Sequence, residues 1–153
     1  AATKDQGLFV STDAGTNWKP LGSGLPKQVN RILALPGNVL IAGTATGLYR
    51  STNDGTAWAA VGPAGASVAT LASLATTPTR LLAGTTAGAI LVSSEGGATW
   101  IAATRAGTRI SPVSEILPGA GTTAYAGTLG GCFLKSTDSG ASWSEALDPT
   151  TIA

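Results

Sequence analysis

Eight residues written four times constrain this chain more than anything else in it. STDAGTNW (Ser11 to Trp18) returns as STNDGTAW (Ser51 to Trp58), SSEGGATW (Ser93 to Trp100) and STDSGASW (Ser136 to Trp143). The four leading serines are spaced by 40, 42 and 43 residues. Repeats of roughly 40 to 50 residues build either propeller blades or helical solenoids. Pro20, Pro26, Pro36, Pro63, Pro78, Pro112 and Pro118 interrupt the intervening segments and would break any helix long enough to stack. Those segments are short, rich in Val, Ile, Leu, Thr and Ala, and bounded by Gly and Pro, so they read as strands.

Each full unit predicts four strands. In the second unit they are VNRILAL, VLIAGT, LYRS and AWAAV; in the third, VATLASL, RLLAGT, ILVS and TWIAA; in the fourth, VSEIL, TAYAGT, FLKS and SWSEA. The second strand ends in Ala-Gly-Thr each time, beginning at Ala42, Ala83 and Ala126, a repeat signal independent of the octapeptide. The first unit holds only its two outer strands, with Ala2 where the Ala-Gly-Thr strand should end. The expected fold is therefore all-β: a β-propeller of four-stranded antiparallel blades, fourteen strands making about three and a half blades. As one partial propeller over residues 1–153, it divides into a half blade 1–25 and blades 26–65, 66–108 and 109–149. Propellers close with about four to eight blades, and an open arc exposes an apolar flank of the kind monomers avoid. The partner expected on this ground is a second copy that completes the ring as a homo-oligomer, or the remainder of a longer polypeptide. The truncated first unit favours the latter.

The octapeptide has the chemistry of a turn. Its third residue (Asp13, Asn53, Glu95, Asp138) can accept hydrogen bonds from backbone N–H groups just ahead. Its fifth is always Gly (Gly15, Gly55, Gly97, Gly140), as a positive φ requires. Its eighth is always Trp (Trp18, Trp58, Trp100, Trp143), a large apolar body with one N–H to satisfy, suited to the gap between blades. With the leading Ser11, Ser51, Ser93 and Ser136, these sixteen residues are expected to be structural. Glu95, with its longer side chain, should give the loosest turn. All four Trp residues of the protein lie in these motifs, leaving none to stack on a sugar or base.

The pattern S-x-D-x-G-x-[ST]-W resembles the Asp-box, or BNR repeat, of sialidase-type β-propellers. The stretch AGT-x-x-G-L-Y-R-S-T-x-D-G is most similar to photosystem II stability/assembly factor-like proteins, with xyloglucanase and sortilin-type propellers more distant. The resemblance runs from about Gly7 to Trp143. It implies motifs at the periphery, away from any active site, in a family that includes enzymes, receptors and assembly factors. Asn53 and Glu95 depart from the pattern at the acidic position, and Asn17 and Ala57 at the Ser/Thr position.

A sialidase-like site would need three converging arginines, a Tyr paired with Glu, and an acid. None of Arg31, Arg50, Arg80, Arg105 and Arg109 has the Arg-Ile-Pro context of that family. Tyr49 shares its strand position with Phe9, Leu91 and Leu134, so both it and Tyr125 are expected to fill the core. A glycosidase needs two carboxylates about 5–10 Å apart. Outside the octapeptide, Glu115 is the one acid on an innermost strand; its counterparts are Arg31 and Thr70, and an attraction to Arg31 is expected. Catalysis by this chain alone is thus not the expected activity.

Composition narrows the classes further. Charged residues are 11% and the net charge is +1 without a basic tract, which excludes nucleic acid as a partner. Histidine is absent, removing the commonest general base and zinc ligand, and no metal or cofactor is expected. The single cysteine, Cys132, sits in the small-residue slot of Gly47 and Ala89, so packing is its expected role. No apolar run reaches the roughly 20 residues of a membrane span. Low charge and abundant Thr, Ser, Ala and Gly favour an extracytoplasmic setting, secreted or periplasmic. The inter-blade links carry Lys27, Arg105 and Arg109, candidates for one modest basic patch. The expected function is a non-catalytic propeller scaffold for protein assembly or recognition. The alternative is a fragment of a carbohydrate-active propeller, lectin or glycoside hydrolase.

Overall fold

The structure, a computed structural model, describes residues 1–3, 5–76, 79–106 and 111–147. Every regular element among them is a β-strand. Blade I consists of β1 (Phe9–Val10) and β2 (Lys19–Pro20). Blade II is the meander β3 (Val29–Leu35), β4 (Val39–Thr44), β5 (Leu48–Ser51) and β6 (Ala59–Val61). Blade III repeats it as β7 (Val68–Leu74), β8 (Arg80–Thr85), β9 (Ile90–Ser93) and β10 (Ile101–Ala102). Blade IV is built on β12 (Val113–Pro118), β13 (Ala124–Thr128), β14 (Phe133–Ser136) and β15 (Ser142–Leu147). The chain is an arc of about three and a half blades.

One feature departs from four strands per blade. After β10 the outgoing chain forms β11 (Thr104–Arg105), which runs parallel to β15 of the next blade, Thr104 opposite Ser142 and Arg105 opposite Trp143. An outermost strand presents a row of unpaired N–H and C=O groups, and the passing link satisfies two of them. Thr104 N–H donates to the Ala141 carbonyl at 2.9 Å and Ala106 N–H to the Trp143 carbonyl at 2.8 Å. A lesser form occurs two seams earlier, where Ser23 bridges Ala57 in parallel.

Side chains alternate between the two faces of each blade, so the core lies in the seams between blades. The first seam joins Leu8 and Leu21 of blade I to Val29, Ala42 and Trp58. The second joins Ile41 and Leu48 to Val68, Leu81, Leu91 and Trp100. The third joins Leu82, Ile90 and Val92 to Val113, Ile116, Leu134 and Trp143. The Gly of each Ala-Gly-Thr marks how closely the blades approach. Neither Gly43 nor Gly84 has a positive φ, so space is what demands glycine there. A Cβ on Gly43 would lie 2.6 Å from Val68 Cγ1, and one on Gly84 would lie 2.5 Å from Val113 Cγ1.

The incomplete first unit keeps the end of its second strand. Ala2 bridges Leu8, and the Thr3 hydroxyl donates to the Gly7 carbonyl at 2.7 Å. Thr44, Thr85 and Thr128 use their hydroxyls likewise on Gly47, Ala89 and Cys132. Cys132 is buried and carries no disulfide.

Candidate functional site

Two regions hold the polar side chains singled out by the sequence: the octapeptide turns on one face, and the inner-strand ends and links on the other. In the turns, the leading Ser hydroxyl accepts from the N–H of the fifth-position glycine, at 2.8 Å for Ser11–Gly15 and 2.9 Å for Ser51–Gly55. The same bond forms at 3.0 Å for Ser93–Gly97 and 2.9 Å for Ser136–Gly140. Those hydroxyls donate in turn to Asp13, Asn53 and Asp138, each at 2.8 Å. Each of these three side chains also accepts the backbone N–H four residues on, from Asn17, Ala57 and Ser142, at 2.9 Å. Glu95 makes neither bond; its carboxylate takes the Thr99 hydroxyl at 2.8 Å. Every indole N–H donates back to the turn glycine's carbonyl, at 2.9 to 3.1 Å.

The turn also holds strain that the sequence pattern does not advertise. The fourth residue is left-handed as well as the fifth, at φ 55° for Ala14, 55° for Asp54 and 60° for Ser139, a conformation costly for residues with a Cβ. Only the third copy places a glycine there, Gly96 at φ 58°.

These bonds fix the carboxylates electrically. Asp13 is lowered to about 2, first by the Asn17 N–H, then by the Asn17 side chain and the Ser11 hydroxyl. Burial pushes Asp138 up, but the Ser142 hydroxyl and N–H and the Ser136 hydroxyl outweigh it and hold the carboxyl below its usual value. Such groups are fully ionised acceptors at neutral pH and poor proton donors. The four turns remain separate, one per blade, and the described residues contain no group of three or more His, Cys, Asp or Glu side chains able to hold a metal.

On the inner strands, a bulge recurs at the same place in each full blade, between Val29 and Arg31, Val68 and Thr70, and Val113 and Glu115. A bulge re-aims the side chain that follows it. The Thr70 hydroxyl donates to Glu115 Oε1 at 3.0 Å, and Arg31 Nη2 lies 4.0 Å from Glu115 Oε2. Glu115 therefore faces a hydroxyl and a guanidinium. Both ends of the ion pair are about half exposed, at 49% and 50%, so it contributes little to stability. Beside it, a groove of about 440 Å³ is lined by Ala2, Thr3, Val29, Asn30, Arg31, Ala69 and Thr86. Two rim grooves, about 350 Å³ beside Trp58 and 250 Å³ beside Trp143, have no carboxylate in their lining.

Two of the three candidate patch cations, Lys27 and Arg105, fall within the described residues, on different links. Lys27 is exposed two residues before β3. Arg105 lies on β11, on the link two seams further on; its Nη1 donates to the Gly88 carbonyl at 3.3 Å, while Nε and Nη2 are enclosed without a partner. Arg109 lies outside the described residues. Tyr49 packs into the first seam as expected from its strand position. Tyr125 does not share that role: it stacks on Phe133 at 5.5 Å on the last face of blade IV, a face opposite to the one Tyr49 uses and, among the described residues, covered by no further blade. The sequence reading also missed Asn30, whose Nδ2 crosses the second seam to the Val68 carbonyl at 2.8 Å. Its sole signal is position, one residue before the bulged Arg31.

Comparison with known proteins places this geometry in context. Residues 2–126 match the DUF6242 beta propeller domain. No curated protein matches. Among solved structures, an ancestral GH74 enzyme is 25% identical with a TM-score of 0.84, over 97% of this chain and 22% of that one. The GH74 xyloglucanase from Xanthomonas campestris is 17% identical with a TM-score of 0.70, over 94% and 27%. YCF48 bound to D1 peptide is 22% identical with a TM-score of 0.59, over 92% and 46%. The chain thus spans about a fifth of the first of these structures and under half of the last.

Proposed function

This chain belongs to the DUF6242 beta propeller domain family, and from that membership we propose that it is a non-catalytic propeller module for protein recognition or assembly. The observation that carries the reading is the employment of its acids. Asp13 and Asp138 are tied into their own turns, which we read as Asp-boxes, and Glu115 pairs with Thr70 and Arg31. A glycosidase places one carboxylic acid and one carboxylate across the scissile bond, and this inner-strand site offers one. Recognition is assigned to the link face, where Asn30 and Arg31 line the 440 Å³ groove and Lys27 stands just before them. Loops on a rigid scaffold are the usual seat of binding, and the YCF48 structure with its D1 peptide is a propeller of related fold holding a peptide. Low charge and Thr/Ser/Ala/Gly richness support an extracytoplasmic setting.

A peptide array probed with the full chain tests the reading. Capture of peptides that is lost in Lys27→Ala/Arg31→Ala, with the melting curve unchanged, is the expected result. A second reading, part of a carbohydrate-active propeller, is favoured by the closeness of the GH74 fold over 97% of the chain. Binding to a glycan array, or hydrolysis of xyloglucan by this chain alone, would replace the first reading with the second.

A further inference from the structure

We propose that the last face of blade IV is a docking surface for the opening face of another complete blade of the same type. The chain itself shows what such a face receives, because the seam is built twice within it. The closing face of blade II presents Leu33, Ile41, Gly43 and Leu48; that of blade III presents Ala72, Leu82, Gly84 and Ile90. Both are sealed by the following blade. The corresponding residues of blade IV are Leu117, Tyr125, Gly127 and Phe133. Here Leu117 is 58% exposed and Phe133 37%, and neither belongs to a core seam.

Gly127 identifies the occupant. A glycine inside a strand sacrifices side-chain packing and costs backbone entropy, so it needs a reason. Gly127 has no positive φ, and a Cβ built on it would meet only Ser114 Oγ, at an ordinary 3.5 Å. Nothing among the described residues requires glycine at this position. At Gly43 the reason is Val68 on the innermost strand of the next blade; at Gly84 it is the corresponding Val113, together with Thr70 of its own blade. The same vacancy over Gly127 therefore fits a blade that has an innermost strand with an aliphatic residue at its bulge. The turn glycine of that blade would sit on the Tyr125–Phe133 stack, as Gly97 sits on Ile41 and Gly140 on Leu82. A second copy of this chain fits less well. Its own open face is blade I, which offers Trp18 and Phe9 but no innermost strand, and would leave Gly127 uncovered. This inference stands apart from the recognition reading, since it concerns the flank and not the link face.

The experiment compares Gly84→Val with Gly127→Val in two backgrounds, the chain as it is and an extended protein in which residues 62–147 are repeated after Ala153. In the parent chain, Gly84→Val should lower the melting temperature by about 5 °C or more through overpacking, while Gly127→Val leaves it unchanged or raises it. In the extended protein the melting temperature should rise, as added repeats contribute added interfaces, and Gly127→Val should now be as damaging as Gly84→Val. The proposal fails if Gly127→Val remains harmless in the extended protein. It fails equally if Gly127→Val destabilises the parent while sedimentation gives twice its 15.0 kDa mass, since the second copy would then be the occupant. The parent measurement decides even if the extended protein does not fold: a monomeric parent harmed by Gly127→Val as much as by Gly84→Val overturns the idea.

Discussion

Trp58→Ala and Trp18→Ala delete the same side chain from the same octapeptide, yet should differ severalfold in cost. Trp58 is 8% exposed and packs in the first seam against Leu8, Val29 and Ala42. Its indole edge lies so close to Gly22 that a Cβ there would come within 2.8 Å of Nε1. Truncation opens a cavity between two blades that hydrogen-bonded sheets cannot readily close, worth about 3–5 kcal/mol. It also removes the indole N–H from the Gly55 carbonyl, a net loss of about 1 kcal/mol. Trp18 makes the matching bond to Gly15 but is 49% exposed, with no blade in front of it. Half the burial implies about 1–2 kcal/mol for Trp18→Ala. For a chain of this size the melting temperatures should fall by about 10 °C or more for Trp58→Ala and by about 4 °C for Trp18→Ala. Thermal unfolding followed by far-ultraviolet circular dichroism measures both. Equal shifts would mean that the indoles act within their own turns and not as wedges between blades, and the seam account of stability would be wrong.

Two further outcomes follow from the turns. Glu95→Asp should restore the two bonds that only this copy lacks, to the Ser93 hydroxyl and the Thr99 N–H, and raise the melting temperature by about 2–4 °C; a decrease would show that the Thr99 hydroxyl bond of the longer side chain is the better arrangement. Asp138 has its folded value depressed, so its contribution is complete above the unfolded value near 3.9 and is lost as pH falls through the folded one. Asp138→Asn, copying the Asn53 turn, should flatten the melting profile between pH 4 and 2 relative to the parent, and superimposable profiles would discount the turn as a source of acid sensitivity.

Much of this architecture is readable in the sequence because its determinants are local. Strands β3, β4, β5, β7, β8, β9 and β14 begin and end where alternation and the Gly/Pro punctuation put them. The Asp, Gly and Trp of each octapeptide act on partners within a few residues, so spacing alone specifies their bonds. The pairing of Glu115 with Arg31 was legible from the repeat register, which places both at the same inner-strand position of different blades. Arg105 was not: whether a link arginine projects into solvent or folds against the neighbouring Gly88 depends on where the link crosses, and that follows from β11 pairing with β15.

Sequence alone determined that this chain makes Ser-Asp-Gly-Trp turns, four-stranded meanders and an arc of three and a half blades. Tertiary structure alone decided what each repeated residue is worth. Gly43, Gly84 and Gly127 occur in the same tripeptide, and Trp18 and Trp58 in the same octapeptide, yet one of each set lies open while its equivalents are sealed. The physical reason is that a propeller keeps its core between blades: local chemistry shapes a blade, but burial, and with it most of the free energy, comes only from the blade beside it.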